Sequence, residues 1–392
     1  MTVKLVHSGG NGVSIAPPDA NPASDKTVKL PATNGTLLTT SSAPSFRNVI
    51  YNGACQIAQR GSSFASVTAT GTFPVDRFVF HVGSLGTWTV SQDTDVPTGQ
   101  GFAKSIKFDV TTADASPAAA DYARIDQRLE GQDLQRFRKG TANAKDFALS
   151  FWVKSPKTGT HIVELQDADN NRLISKAYTI SSANTWEKKE LIISKDTTGA
   201  FDNDNAKSLT IAWWLAAGSD YTSGTLATSW VTPTNANRVV GQVNCADNTA
   251  NNFYLTGVQL ETGDVCSDFE HRSYGDDLRA CQRYYFKETA VNNGFLSACG
   301  FAANATFGIV HCDFPVPMRA APTALEQTGT AGDYKLGRRT SATTCSSVPV
   351  FDFANTNHAH VLWYVSSGME AGEGVFMRTT TTDVYLAWSS EL

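Results

Sequence analysis

Short runs in which apolar and polar residues alternate recur through most of this chain, separated by clusters of Gly, Pro, Asn, Asp and Ser. Alternation at period two puts every second side chain on one face of a strand, so each run predicts a strand with one buried side. Phe147-Ala-Leu-Ser-Phe-Trp-Val153 is the clearest case, with Phe147, Leu149, Phe151 and Val153 facing one way. Similar runs predict strands over 73–80, 87–90, 102–110, 122–129, 161–165, 172–180, 186–193, 209–215 and 253–260. Asn52-Gly53 opens the series. About ten such strands are what a jelly-roll needs, because each of its two sheets must bury one face against the other. Residues 46–275 are therefore read as one jelly-roll β-sandwich.

The flanks read differently. Residues 1–45 hold three short alternating runs, Val3-Lys-Leu-Val6, Gly12-Val-Ser-Ile15 and Thr27-Val-Lys-Leu30, among breakers such as Pro17-Pro-Asp-Ala-Asn-Pro22. That is too little apolar material for a core. The segment is expected to gain order against sister chains or a partner, as an attachment and oligomerisation segment. Beyond the sandwich, Leu278, Cys281 and Tyr285 recur at helical spacing, and Asp276 and Asp277 stand where a helix dipole favours negative charge. This predicts a helical connector over 276–290. Residues 291–392 return to strand-like runs at 294–297, 307–314, 350–353, 360–365 and 384–388, and are expected to form a smaller C-terminal β-domain. The fold class is all-β.

Composition narrows the function classes. Charged residues make up only 18% of the chain, below the roughly 25% of ordinary soluble proteins, and hydrophobic residues 41%. The net charge of -5 argues against a nucleic-acid partner, which needs a concentrated Lys/Arg face. The seven cysteines are scattered with no C-x-x-C pair, so they are expected to be small buried hydrophobes in a reducing cytoplasm and not a zinc cluster. Met1 to Gly12 has no apolar signal-peptide core, and no stretch has the roughly 18 apolar residues of a membrane helix. Synthesis in a cytoplasm, release by lysis and no membrane insertion are the expectations.

No residues assemble into a catalytic motif: G-x-S-x-G, H-E-x-x-H and the phosphate-binding loop are all missing. His358-Ala-His360 puts two imidazoles on one strand face, but no third ligand is evident, so no metal is assigned. The pairs Asp93/Asp95, Asp167/Asp169 and Asp202/Asp204 sit in turn-like segments, where Asp commonly serves the turn itself. Such oxygen-rich turns also suit calcium, at no particular loop; no other cofactor is expected. Trp213, Trp214, Tyr221 and Trp230 cluster in a Gly/Ser/Thr-rich region and are the glycan-binding candidates. Trp213 and Trp214 should face opposite sides of a strand, one in the core and one exposed. Packing inside the sandwich or between sister chains is the competing role for these rings.

Longer phrases carry a resemblance. Tyr122 to Arg128, Gly140 to Lys154 and Phe253 to Glu261 resemble, in order, phrases of jelly-roll carbohydrate-binding modules. The stretch from Gly257 to Tyr285, GVQLETGDVCSDFEHRSYGDDLRACQRYY, joins a strand to an amphipathic segment through a charged elbow. It resembles the corresponding stretch of tail-fibre and related virion appendage proteins of tailed bacteriophages. So do Thr27 to Leu38, Trp186-Glu-Lys-Lys189, Phe314 to Pro322 and the terminal Ala387 to Leu392. The resemblance implies a virion structural protein, a homotrimeric tail fibre or spike-like appendage. It would attach to other virion proteins through residues 1–45 and adhere to host cell-surface glycan without cleaving it. A head fibre or capsid decoration protein is the alternative. A polysaccharide depolymerase is a further one, for which the chain has no repeat of suitable period.

Overall fold

The computed structural model describes residues 3–6, 12–15, 46–290, 294–338, 341–381 and 383–392. The chain divides into two compact units, Met1–Ser45 and Phe46–Leu392. In the first, β1 (Val3–Val6) pairs antiparallel with β2 (Gly12–Ile15), Val3 opposite Ile15 and Val6 opposite Gly12. The expected strand at Thr27–Leu30 lies outside the described residues.

The second unit opens with two six-stranded antiparallel sheets. One has the order β11 (Arg172–Ile180), β10 (Gly159–Asp167), β13 (Lys207–Ala217), β8 (Tyr122–Glu130), β5 (Phe78–Gly83), β4 (Thr72–Val75). The other runs β12 (Glu187–Ile193), β9 (Phe147–Lys154), β14 (Asn252–Thr262), β7 (Ser105–Thr112), β6 (Thr87–Asp93), β3 (Ser63–Val67). From β3 to β14 the chain changes sheet at every step except β4 to β5, β6 to β7 and β10 to β11. Sequence neighbours therefore seldom pair, which is the jelly-roll. Phe147, Leu149, Phe151 and Val153 all lie fully buried between the sheets, and Phe151 meets Trp213 of the opposite sheet at 5.8 Å between ring centroids. Each such side chain contributes about 1.5–3 kcal/mol on burial, so a one-residue slip, which would turn all four to water, is strongly disfavoured.

Two boundaries differ from expectation. The run 73–80 is not one strand: β4 and β5 form a hairpin, with Val75 opposite Phe78 and Asp76-Arg77 as the two-residue turn. Arg77, the second of the two, takes the left-handed backbone (φ +72°) that a type II turn places at that position. The helical connector is also shorter. After α1 (Gly131–Leu134) and α2 (Ser219–Thr222), α3 spans Tyr274–Gln282, and its C-terminal neighbour β15 (Tyr285–Thr289) is a strand. Ser273 caps α3: its Oγ accepts from Asp276 N at 3.2 Å and donates to Asp276 Oδ2 at 2.6 Å. Tyr285 belongs to the strand because its backbone pairs antiparallel with Ser389 near the end of the chain.

The C-terminal part has a seven-stranded sheet, β20 (Ser341–Thr344), β19 (Tyr334–Arg338), β23 (Gly374–Thr379), β16 (Phe295–Ala302), β17 (Phe307–Asp313), β22 (His358–Tyr364), β21 (Val350–Ala354). A three-stranded sheet of β15, β24 (Tyr385–Ser389) and β18 (Glu326–Gln327) accompanies it. Their shared core contains Tyr334, Met377, Trp363, Leu386 and Trp388. Side chains from the sandwich clasp this part. The Arg77 guanidinium lies 3.4 Å over the Tyr284 ring and pairs with Glu391, and Arg60 lies 3.6 Å over the Tyr285 ring. All seven cysteines are free; Cys55, Cys245, Cys281, Cys312 and Cys345 are buried as expected, whereas Cys299 is exposed. Among the described residues no helix is long and apolar enough to cross a membrane.

Candidate functional site: an aromatic and charged sheet face

The four aromatic residues singled out in the sequence do not share a surface. Trp213 and Trp214 do point to opposite faces of β13, yet both are buried, at 0% and 1% exposure. Trp213 packs between the sheets against Phe78 and Phe151. Trp214 lies on the outer side of the first sheet, where Tyr221, Leu226 and Val239 cover it. The expectation of one exposed tryptophan fails because the loop after β13 folds back over the sheet, Val239 N bonding to Tyr221 O at 3.0 Å. Trp230 joins the core beside Phe147 and donates from Nε1 to Ser194 O at 2.7 Å. Tyr221 alone stays partly exposed, packed 5.3 Å from Trp214. Trp213, Trp214 and Trp230 are thus unavailable for stacking on a sugar.

A partly exposed aromatic surface lies instead on the outer face of the second sheet, around Tyr254, which is itself buried at 8% exposure. Register places Ser63, Ser91, Lys107, Tyr254 and Lys154 in one row across β3, β6, β7, β14 and β9. Trp152 stands beside this row on the same face, between Thr256 and Lys188. Trp186, just before β12, has its ring centroid 6.0 Å from that of Tyr254. Trp152 and Trp186 are half-buried, so their remaining ring surface meets water. Alternation accounts for Trp152: Phe151 and Val153 point inward, so the residue between them must point out. Gly257 makes room for it. Its φ is +60°, and a Cβ there would come within 2.9 Å of the Trp152 ring and 2.7 Å of the Phe102 ring.

Charges frame these rings. Lys154 Nζ lies 4.7 Å from the Tyr254 centroid and 5.8 Å from that of Trp186, and Lys107 Nζ lies 5.9 Å from Tyr254. Asp95 pairs with Lys154 and accepts from Trp186 Nε1 at 2.9 Å. Burial pushes its carboxyl upward, but the hydrogen bonds from Lys154 and Trp186 outweigh that and hold it below the usual carboxylate range. Asp109 pairs with Lys107 at 3.4 Å. Burial, followed by the charges of Asp93, Asp95 and Asp109, pushes the Tyr254 phenol up to about 12. It stays a neutral hydroxyl, able both to donate and to accept. Flat rings beside anchored charges can stack on the apolar face of a sugar while the polar groups bond its hydroxyls. The outward position of Trp152 was readable in its strand; the contact of Trp186 with Tyr254 on the same sheet was not.

Elsewhere, two polar clusters are committed within the fold. Lys139, wholly buried, sends Nζ to Asp167 Oδ2 at 2.6 Å, Asp196 Oδ2 at 3.1 Å, Gly199 O at 2.8 Å and Thr198 O at 3.0 Å. One of the turns suited to calcium therefore surrounds a lysine cation. A cleft of about 330 Å³ is lined by Tyr51, Asp133, Arg136 and Arg272. Its polar groups are committed internally: Tyr51 donates to Asp133 at 2.7 Å, and the two arginines donate to the carbonyls of Phe46 and Asn48. The histidine pair is a different case, because His358 and His360 gain the third imidazole that the sequence did not reveal, His311 of β17.

No family model matches the chain, and no curated protein matches its sequence. Solved structures similar to it include the enzymatically active domain of bacteriophage CBA120 tailspike protein 4, at 16% identity and TM-score 0.29, covering 55% of this chain and 21% of that one. The chain thus spans about a fifth of that tailspike domain. The family 11 carbohydrate-binding module of the Clostridium thermocellum cellulase Lic26A-Cel5E is 13% identical at TM-score 0.25, covering 53% of this chain and 100% of the module. TmCBM61, solved with β-1,4-galactotriose, is 12% identical at TM-score 0.27, covering 55% of this chain and 99% of that one.

Proposed function

We propose that this chain is a non-enzymatic virion structural protein, a trimeric tail fibre or spike-like appendage that adheres to host surface glycan. The observation that carries the binding role is the row of Tyr254, Lys107 and Lys154 with Trp152 and Trp186 on the outer face of the second sheet. The carboxylates there favour binding over cleavage. A glycosidase needs one carboxyl kept protonated as the acid, whereas Asp95 is held ionised by Lys154 and Trp186 and Asp109 is paired with Lys107. The phage appendage role rests on the phrases from Gly257 to Tyr285 and from Thr27 to Leu38. In this reading residues 1–45 attach the chain to other virion proteins, and the protein is made in the host cytoplasm.

Two experiments test it. A glycan screen with the full chain should find a ligand whose binding is lost in the double variant Trp152→Ala, Trp186→Ala; undiminished binding would remove the role of this face. Release of new reducing ends from that glycan would instead make the protein a depolymerase. Gold-labelled antibody on intact particles should decorate the tail, and label over the head would reassign it as a capsid fibre.

A further inference from the structure

The outer face of the seven-stranded sheet gathers ligand-type side chains from two neighbouring strands. His358 and His360 share one side of β22 because Ala359 between them points into the core. On β17, Val310 and Cys312 point inward, which leaves His311 and Asp313 outward. Register pairs His311 with His360 and Asp313 with His358, so the four side chains occupy the corners of one patch. A ligand nitrogen of each histidine lies within 4.8 Å of those of the other two. The His311 ring centroid is 4.4 Å from that of His358 and 5.3 Å from that of His360. Asp313 Oδ1 lies 2.9 Å from His311 Nε2.

We propose that His311, His358 and His360 bind one divalent transition-metal ion per chain, zinc or an ion of similar softness, with Asp313 supporting His311. Imidazole nitrogens suit zinc, nickel, copper and iron, whereas calcium and magnesium require oxygen-rich shells. Tetrahedral zinc with bonds of about 2.0–2.1 Å needs nitrogens roughly 3.3 Å apart. The nitrogens lie within 4.8 Å of one another on partly exposed rings, so ring rotation has at most roughly 1.5 Å to close. A carboxylate on one ring nitrogen of a histidine fixes the ring and makes the other nitrogen a stronger ligand, which is the place Asp313 occupies. The bound ion ties β17 to β22 and braces the sheet. Cys299, exposed and opposite His311 on β16, is a rival donor that the register puts next to the patch. The inference stands apart from the glycan reading, since it rests on a different sheet.

The test is calorimetric titration of the chelator-stripped full chain with zinc, paralleled by cobalt absorption in the visible. One ion per chain and a zinc-dependent rise in melting temperature are expected. Asp313→Asn should weaken binding by roughly ten- to hundredfold, and His311→Ala or His358→Gln by more, while Cys299→Ser leaves it unchanged. Near-UV circular dichroism of each metal-free variant checks its fold, and the two histidine variants back each other if one fails. The proposal is overturned by zinc binding that survives both histidine changes, by loss of binding in Cys299→Ser, by an absence of saturable binding, or by one ion per three chains.

Discussion

Arg283 holds Glu130 with two parallel hydrogen bonds, Nε to Oε1 at 2.8 Å and Nη2 to Oε2 at 2.7 Å. Tyr284 donates a third to the same carboxylate. Glu130 ends β8 of the sandwich, and Arg283 follows α3 at the start of the C-terminal part, so one fork ties the two together. Glu130 is wholly buried. Burial pushes its carboxyl upward, and the bonds from Arg283 and Tyr284 more than offset this, holding it below the ordinary range.

Removing the fork strands a buried charge. Arg283→Met is expected to destabilise the chain by about 3–5 kcal/mol, seen as a lower urea midpoint at neutral pH. Because the folded value is depressed, this stabilisation is complete above the ordinary glutamate value of about 4.3 and fades as pH falls through the folded one. The gap between wild type and variant should therefore narrow in acid; a constant gap would show that the contact acts through packing alone.

Lys139 acts as an internal cation. With its ammonium removed, Asp167 and Asp196 face each other beside two carbonyl oxygens. Lys139→Ala should cost about 3–5 kcal/mol. Millimolar calcium should restore part of that loss in the variant while leaving wild type unmoved, as followed by thermal melts, because the oxygens vacated by the ammonium are of the kind calcium prefers.

Trp214 and Trp152 should part company when each is truncated. Trp214→Ala removes a fully buried ring and is expected to lower stability by about 3–5 kcal/mol, with glycan affinity intact in the fraction that stays folded. Trp152→Ala should do the reverse, weakening binding while the melting temperature moves little. Equal affinity losses in both would return the binding site to the first sheet.

His161 makes stability pH-dependent on its own. Its ring is fully buried, stacks on Tyr178 at 5.6 Å and donates from Nε2 to Lys157 O at 3.1 Å. Burial lowers its pKa to about 4, with Lys189 and Lys157 adding to the effect and the bond to the Lys157 carbonyl opposing it. The unfolded chain takes up a proton near 6.5 that the folded chain refuses, so stability falls as pH drops from about 6.5 toward about 4. Urea midpoints at pH 7 and pH 5 should differ less in His161→Gln than in wild type.

Much of the fold was legible because alternation is local. The inward stripe of β9 and the strands β8, β11 and β14 follow from their own residues. Where the local signal was weak or misleading, reading failed. β19, β20 and β23 are built partly of Gly, Ser, Thr and Arg, and their strand state depends on the neighbours they pair with. The hairpin of β4 and β5 looked like one strand because its turn residue Arg77 is neither Gly nor Asn. It holds the left-handed backbone while its guanidinium is clamped between Tyr284 and Glu391, contacts made with residues from the far end of the chain.

The candidate sites divide along the same line. From the sequence alone came the facts that Trp213 and Trp214 face opposite ways and that His358 and His360 face the same way, since side-chain direction in a strand is fixed by the backbone residue by residue. Which outward ring meets water was decided only in the tertiary structure: a loop buries Trp214, while Trp152 and Trp186 stay partly exposed on the outer face of the second sheet, where Tyr254 is buried beside Trp186. The pairing of His311 with His360 was decided there as well. Register between distant strands is set by the packing of their inward faces, and it carries the outward residues along with it.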